Sequence, residues 1–157
     1  MDELIQAELS LKLCQNRHIL LARNMKKEAA RETRPKPVRW VGSSKVDASA
    51  FPAPVRVKIG GALWEAQIGS KAPYAKPLKG FGGANVIEIV EDFDGDTYRA
   101  VYTVRFTDVV YVLHAFQKKA KRGIATPKAD LDLIEKRLRR AREDYEQWSR
   151  DGKPVSR

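Results

Sequence analysis

Two periodicities divide this sequence, and together they predict an α+β chain with helices at both ends and an antiparallel sheet between them. Apolar residues recur at spacings of three and four over residues 2–32 and again after Thr126, whereas from Val86 to Lys118 they alternate. A third observation fixes a hairpin: Asp94-Gly95, a dipeptide favoured in two-residue type I′ turns, sits inside the alternating stretch.

The composition bounds the rest. At 157 residues and 43% apolar content the chain suits one compact domain with an appendage. It carries 30 Lys and Arg against 20 Asp and Glu, a net charge of +10, which points to an anionic partner, nucleic acid or an acidic protein. The excess is +3 over residues 1–36, +5 over 37–125 and +2 over 126–157, so it is spread along the chain rather than gathered in a tail. A single cysteine, Cys14, excludes an internal disulfide framework and a multi-cysteine zinc site, and two histidines, His18 and His114, exclude a polyhistidine centre. No metal or other cofactor is expected. No apolar run approaches the ~18 residues that span a bilayer. The start, Met1-Asp2-Glu3, lacks a secretory signal's basic and apolar regions. The expectation is a cytoplasmic protein with no membrane partner.

The elements follow in order. Residues 1–36 read as a helical extension and linker. The stripe Leu4, Ala7, Leu11, Cys14, His18, Leu21 and Met25 marks the helix, and Arg34-Pro35-Lys36-Pro37 stops it. Met25 offers an alternative start. Residues 37–125 read as the core. Val38–Val41 is a short extended run, Ser44-x-x-Asp47 resembles a capping box opening a short helix, and Pro52 fits the first turn of a second helix with inner stripe Val55, Ile59, Leu63 and Ala66. Gly69 to Gly83 reads as loop. Strands are expected over Val86–Glu91, Tyr98–Phe106 and Val109–Lys118. Residues 126–157 read as a basic helix and tail, with Thr126 as N-cap, Pro127 as first residue, and a stripe of Leu131, Ile134, Leu138, Ala141, Tyr145 and Trp148. Lys136, Arg137, Arg139, Arg140 and Arg142 fall mostly on the other side, as a solvated face or a contact to RNA phosphates.

The Asp94-Gly95 turn places Phe93 opposite Asp96, Val90 opposite Arg99 and Glu88 opposite Val101. A tight turn at Thr107-Asp108 would place Phe106 opposite Val109, Arg105 opposite Val110, Val101 opposite His114 and Arg99 opposite Phe116. One face then holds Ile87, Ile89, Ala100, Tyr102, Val104, Phe106, Val109, Tyr111, Leu113 and Ala115 and must be covered by helices. The other gathers Glu88, Arg99, Arg105, His114 and Lys118 on one open surface, with the lysine-rich glycine loop at its rim. Charges on the solvated side of a half-buried sheet are ordinary; the apolar residues between these charges suggest that something docks there. Two lookalikes fail. Asp92-x-Asp94-Gly95-Asp96 has its glycine too early for a calcium loop. Lys79-Gly80-Phe81-Gly82-Gly83 lacks the Gly-Lys-Ser/Thr of a phosphate-binding loop.

One series of residues resembles a known family. Lys76-Pro77-Leu78-Lys79-Gly80, Glu88-Ile89, Tyr98-Arg99-Ala100-Val101-Tyr102, Val112-Leu113-His114-Ala115-Phe116-Gln117-Lys118-Lys119 and Thr126-Pro127 resemble the RelE/ParE toxin superfamily, in its HigB-like, phage-derived branch. The resemblance covers about residues 37–145; the leader and the long basic helix depart from the usual short toxin. It implies a RelE-like fold, N-terminal helices packed on a twisted antiparallel sheet. It also implies the toxin of a type II toxin–antitoxin pair, an endoribonuclease that cuts mRNA on the ribosome and is held in a hetero-oligomer by a cognate antitoxin. Cleavage without a metal needs a base for the ribose 2′-hydroxyl, positive charge at the phosphorane and an acid for the leaving oxygen. On this reading Arg99 stabilises charge, Glu88 and His114 are acid and base in either order, and Lys118 completes the centre. Lys76, Lys79, Arg105, Lys119, Lys121 and Arg122 would hold RNA. The alternative, from relatives of the same fold, is a ParE-like inhibitor that binds DNA gyrase and cuts no RNA. A non-catalytic RNA-binding or repressor-associated subunit is a third.

Overall fold

The computed structural model describes residues 34–82, 85–118 and 126–151. The chain divides between Pro35 and Lys36, and the fold is that of Lys36 onward. The expected leader helix with Cys14 and His18 lies outside the described residues, as do Lys119, Lys121 and Arg122.

Strand β1 (Val38–Trp40) leads into helices α1 (Ser44–Ser49) and α2 (Ala53–Gln67). Strands β2 (Ala75–Pro77), β3 (Val86–Phe93), β4 (Asp96–Thr103) and β5 (Val110–Lys118) follow, then helix α3 (Lys128–Asp151). The five strands form one sheet in the order β1-β5-β4-β3-β2. The expected antiparallel meander is present, and β1 adds a parallel edge against β5. A parallel neighbour requires a long crossover, which α1, α2 and the meander together supply.

Local chemistry explains most boundaries. Ser43, not Ser44, is the N-cap of α1, and no side-chain cap forms. Ser44 is fully buried, already inside the helix, and donates its hydroxyl to the Val112 carbonyl of the sheet at 3.1 Å. Pro52 is the N-cap of α2, and Pro54 takes the first turn, where a missing N–H is harmless. The stripe Val55, Ile59, Leu63 and Ala66 is buried as expected, whereas Val57, Trp64 and Ile68 on the opposite side are exposed. The stretch expected as loop contains β2, a three-residue edge strand ending in proline, too short to show alternation.

The first hairpin has all three expected pairs, with Asp94 at φ 51° and Gly95 at φ 81°, the two positive values a type I′ turn requires. The second is correct only beyond its middle. Val101 pairs with His114 and Arg99 with Phe116, but Tyr102 pairs with Val112, so Leu113 is an extra residue. Strand β4 ends at Thr103, and the pairs expected at Phe106 and Arg105 do not form. A bulge reverses the facing of everything on one side of it. Val110 and Val112 therefore join Ile87, Ile89, Ala100 and Tyr102 under α1 and α2. Tyr111 and Leu113, with Phe106 and Val109, move to the opposite layer.

That opposite layer is not open. Ile134 and Ala141 of α3 are fully buried in it, and Leu131, Leu138, Tyr145 and Trp148 pack at its edge, so the apolar stripe read from the sequence docks on the sheet.

Two outcomes follow for stability. Ile134→Ala should cost about 2–5 kcal/mol in urea unfolding, whereas Val57→Ala, on a residue 75% exposed, should stay within about 0.5 kcal/mol. Burial pushes the Tyr102 phenol up to about 12, with Tyr74 adding to the shift, and its hydroxyl has no hydrogen-bond partner within the described residues. A phenol raised in the folded state contributes stability that is complete below pH ~10 and lost as pH climbs through its folded value. Tyr102→Phe should flatten the loss of stability between pH 10 and 12, and should leave the protein as stable or more so at pH 7.

Candidate functional site

The registers place four side chains in one row across four strands: Lys76 opposite Glu88, Glu88 opposite Val101, and Val101 opposite His114. The neighbouring row on the same face is Val90, Arg99 and Phe116. Arg99 and His114 thus point to the same side of the sheet, the side on which α3 lies.

Arg99 and Glu88 form a diagonal ion pair, Nη1 to Oε2 at 2.8 Å, with side chains only 14% and 16% exposed. Arg99 Nη1 also donates to the Thr126 hydroxyl at 3.2 Å. The threonine expected to cap α3 accepts from the guanidinium. The start of the helix therefore rests against the central cation.

His114 is buried, at 7% exposure, and stacks on Phe116 with centroids 4.8 Å apart. Both ring nitrogens meet α3: Nε2 lies 3.0 Å from Asp130 Oδ1, and Nδ1 lies 3.1 Å from Arg137 Nη1. A guanidinium only donates, so Nδ1 accepts, and the ring proton sits on Nε2, donating to Asp130.

The remaining candidates are distributed around this centre. Lys76 is exposed on β2, and Lys79 is exposed in the loop after it. Lys118 is half-buried at the end of β5, opposite Thr97. Arg105 is exposed in the loop beyond β4, where the strand had been expected to continue. Among the described residues, no three His, Cys, Asp or Glu side chains gather as a metal site would require, and no helix is long and apolar enough to cross a membrane.

Three polar residues of α3 join the seam: Asp130 and Asp144, which carry no expectation from the sequence, and Arg137, which the sequence places on the basic outer face and the structure turns to the sheet. Asp130 and Arg137 hold His114. Asp144 accepts from Tyr111 Oη at 2.6 Å and pairs with Arg39. Burial and the Asp144 hydrogen bond together hold the Tyr111 phenol well above its ordinary range. Burial lowers the Arg137 guanidinium from its ordinary value, with Asp47 opposing the shift. The signal was present: Arg137 is three residues after Ile134 and four before Ala141, on the buried stripe itself. A cavity of ≈ 150 Å³ beside Arg39, Tyr111 and Asp144 is lined by none of the predicted site residues.

The Arg99–Glu88 contact is testable without any substrate. A double-mutant cycle with Arg99→Met and Glu88→Gln, read by urea unfolding, should give a coupling of about 1 kcal/mol or more in favour of the pair, within the ~0.5–3 kcal/mol usual for contacting residues.

The family model described as "Phage derived protein Gp49-like (DUF891)" matches residues 47–139, more than half of the chain, from within α1 through α2 and strands β2 to β5 to the middle of α3. No curated protein matches. A solved structure of a mutant of the E. coli toxin RelE in the free state is similar over 68% of this chain and 97% of its own, with 16% identity and a TM-score of 0.43. The span matched by the family model contains Lys76, Glu88, Arg99, His114, Asp130 and Arg137 alike, and the chain belongs to this phage-derived Gp49-like family, the branch of RelE/ParE-type toxins that its motifs resemble.

Proposed function

We propose that this protein is the toxin of a type II toxin–antitoxin pair and acts in the cytoplasm as an endoribonuclease on mRNA, cutting on the ribosome without a metal ion. The observation that carries the reading is Arg99. It is a guanidinium held by Glu88 on a sheet face whose next row begins with an exposed lysine. A fixed cation beside a carboxylate suits a reaction in which negative charge grows on phosphorus while a proton leaves a hydroxyl.

In the proposed step Glu88 takes the proton of the ribose 2′-hydroxyl. The 2′-oxygen forms a bond to phosphorus and the 5′-oxygen leaves, protonated by Lys118. The products are a 2′,3′-cyclic phosphate and a 5′-hydroxyl, and no electron carrier is needed. Arg99 faces the non-bridging oxygens. Lys76, Lys79, Arg105, Lys119, Lys121 and Arg122 hold flanking phosphates. His114, with both ring nitrogens engaged by α3, serves to hold the first turn of that helix beside the centre instead of exchanging protons with RNA. The antitoxin covers this face with an acidic segment, as the net charge of +10 invites.

Induction of the full chain without its antitoxin should arrest growth and create new mRNA 5′ ends by primer extension. Arg99→Ala should lower cleavage by about 10²–10³-fold, the usual cost of one charge-stabilising group. Arrest with DNA breaks and no new transcript ends would instead support the gyrase-binding reading. Harmless induction would point to a non-catalytic subunit.

A further inference from the structure

We propose that Arg137 is a positioning residue: it fixes the proton of His114 on Nε2, so that the ring holds Asp130, and with it the first turn of α3, against Arg99.

The guanidinium is locked by three acceptors on three separate groups. Nη1 donates to the Leu113 carbonyl at 2.9 Å and to His114 Nδ1 at 3.1 Å, and Nη2 donates to Ser43 Oγ at 2.7 Å. Ser43 in turn donates to Asp47 Oδ2 at 2.7 Å, so its own proton is directed away and its lone pair faces the arginine. The chain makes room for this arrangement. Gly42 has φ +61°, and a Cβ there would meet Arg137 Nε and Nη2 at 3.1 Å. A side chain at 42 would be both strained and in collision with the guanidinium.

The consequence runs through the imidazole. With Nδ1 accepting from Arg137, Nε2 carries the proton and donates to Asp130 Oδ1 at 3.0 Å. The other tautomer would set an N–H against the arginine's N–H and a lone pair against a carboxylate, two repulsions in a buried site. Asp130 lies in the first turn of α3, where its N–H bonds to the Pro127 carbonyl at 3.1 Å, and Thr126 just before that turn accepts from Arg99. Arg137 therefore acts on Arg99 only through His114, Asp130 and Thr126. Its bearing on RNA cleavage rests on the reading given above; the tautomer does not.

The test is heteronuclear NMR of the imidazoles in the full chain labelled at histidine, with His18→Gln separating the two rings. Wild type should show His114 protonated at Nε2. Arg137→Met, which keeps the apolar stem, should bring in Nδ1-protonated forms, and Arg137→Lys, which keeps a donor, should return the ring to Nε2–H. Cleavage of bound RNA should slow in Arg137→Met by up to about 10²-fold, as for a displaced catalytic group, with KM little changed. An Nδ1–H ring in wild type would overturn the inference and needs no variant to fold. Retention of Nε2–H in a folded Arg137→Met protein would also overturn it. If the tautomers behave as stated but wild type cuts no RNA, the nuclease reading falls and this one stands.

Discussion

The hydrogen bond from Arg137 to the Leu113 carbonyl joins a helix to the irregular point of strand β5. In a regular strand, residues three apart face opposite ways. Tyr111 and His114 are three apart, yet both reach α3, one through Asp144 and the other through Asp130. The extra residue at 113 makes that geometry available, and Arg137 supplies a donor to the carbonyl of the residue that has no opposite number in the ladder. Without the bulge, either the tyrosine or the histidine would turn toward α1 and α2. The seam between sheet and helix would then lose one of its anchor points.

The seam itself has a regular chemistry. Asp130, Arg137 and Asp144 are seven residues apart, and Ile134, Ala141 and Trp148 follow each of them by four. Asp130 and Asp144 stand fourteen residues apart, about 21 Å of helix, whereas His114 and Tyr111 are only about 10 Å apart along β5. Side-chain reach, not a matched repeat, therefore brings each charged position to its own partner on β5: the histidine, the bulge carbonyl, the tyrosine. An all-leucine stripe would bury more apolar surface and could slide by one turn at little cost. Charged groups in a half-buried seam cannot slide, because a displaced one loses its partner and remains desolvated. The polar positions thus set the register of α3, and that register brings Thr126 to Arg99.

Much of this was legible before the structure. The Asp94-Gly95 turn gave the first hairpin to the residue, and the row from Glu88 through Val101 to His114 followed from counting outward from the two turns. Three things were not. The bulge has no glycine or proline to mark it, so the second hairpin was read through Leu113 as though regular, and the facing of Tyr111 and Leu113 came out reversed. Strand β2 is three residues long, below the length at which alternation can be seen. The polar half of the α3 seam does not show in the apolar stripe. Arg137 was grouped with Lys136, Arg139, Arg140 and Arg142 on the solvated side, although its spacing from Ile134 and Ala141 puts it on the buried one. A charge at a core spacing is itself a signal, because it costs several kcal/mol to bury unless a partner awaits it.

The same seam explains why the candidate centre lies where it does. Helix α3 covers the face around Val101 and Leu113, and its first turn ends at Arg99. Beside Arg99 the neighbouring row runs from Val101 to Glu88 and on to an exposed Lys76. Arg99 stands at the border between a packed half and a solvated half of one sheet face. A guanidinium deep in the packed half would be sealed from a polymer; one in the solvated half would be screened and loosely held. At the border it is oriented by Glu88 and Thr126 yet can be reached from the β3 and β2 side. On the nuclease reading proposed above, an RNA strand would reach this centre along the edge that carries Lys76 and Lys79. The bulge, by fixing where α3 begins, would then set which side of Arg99 that strand uses.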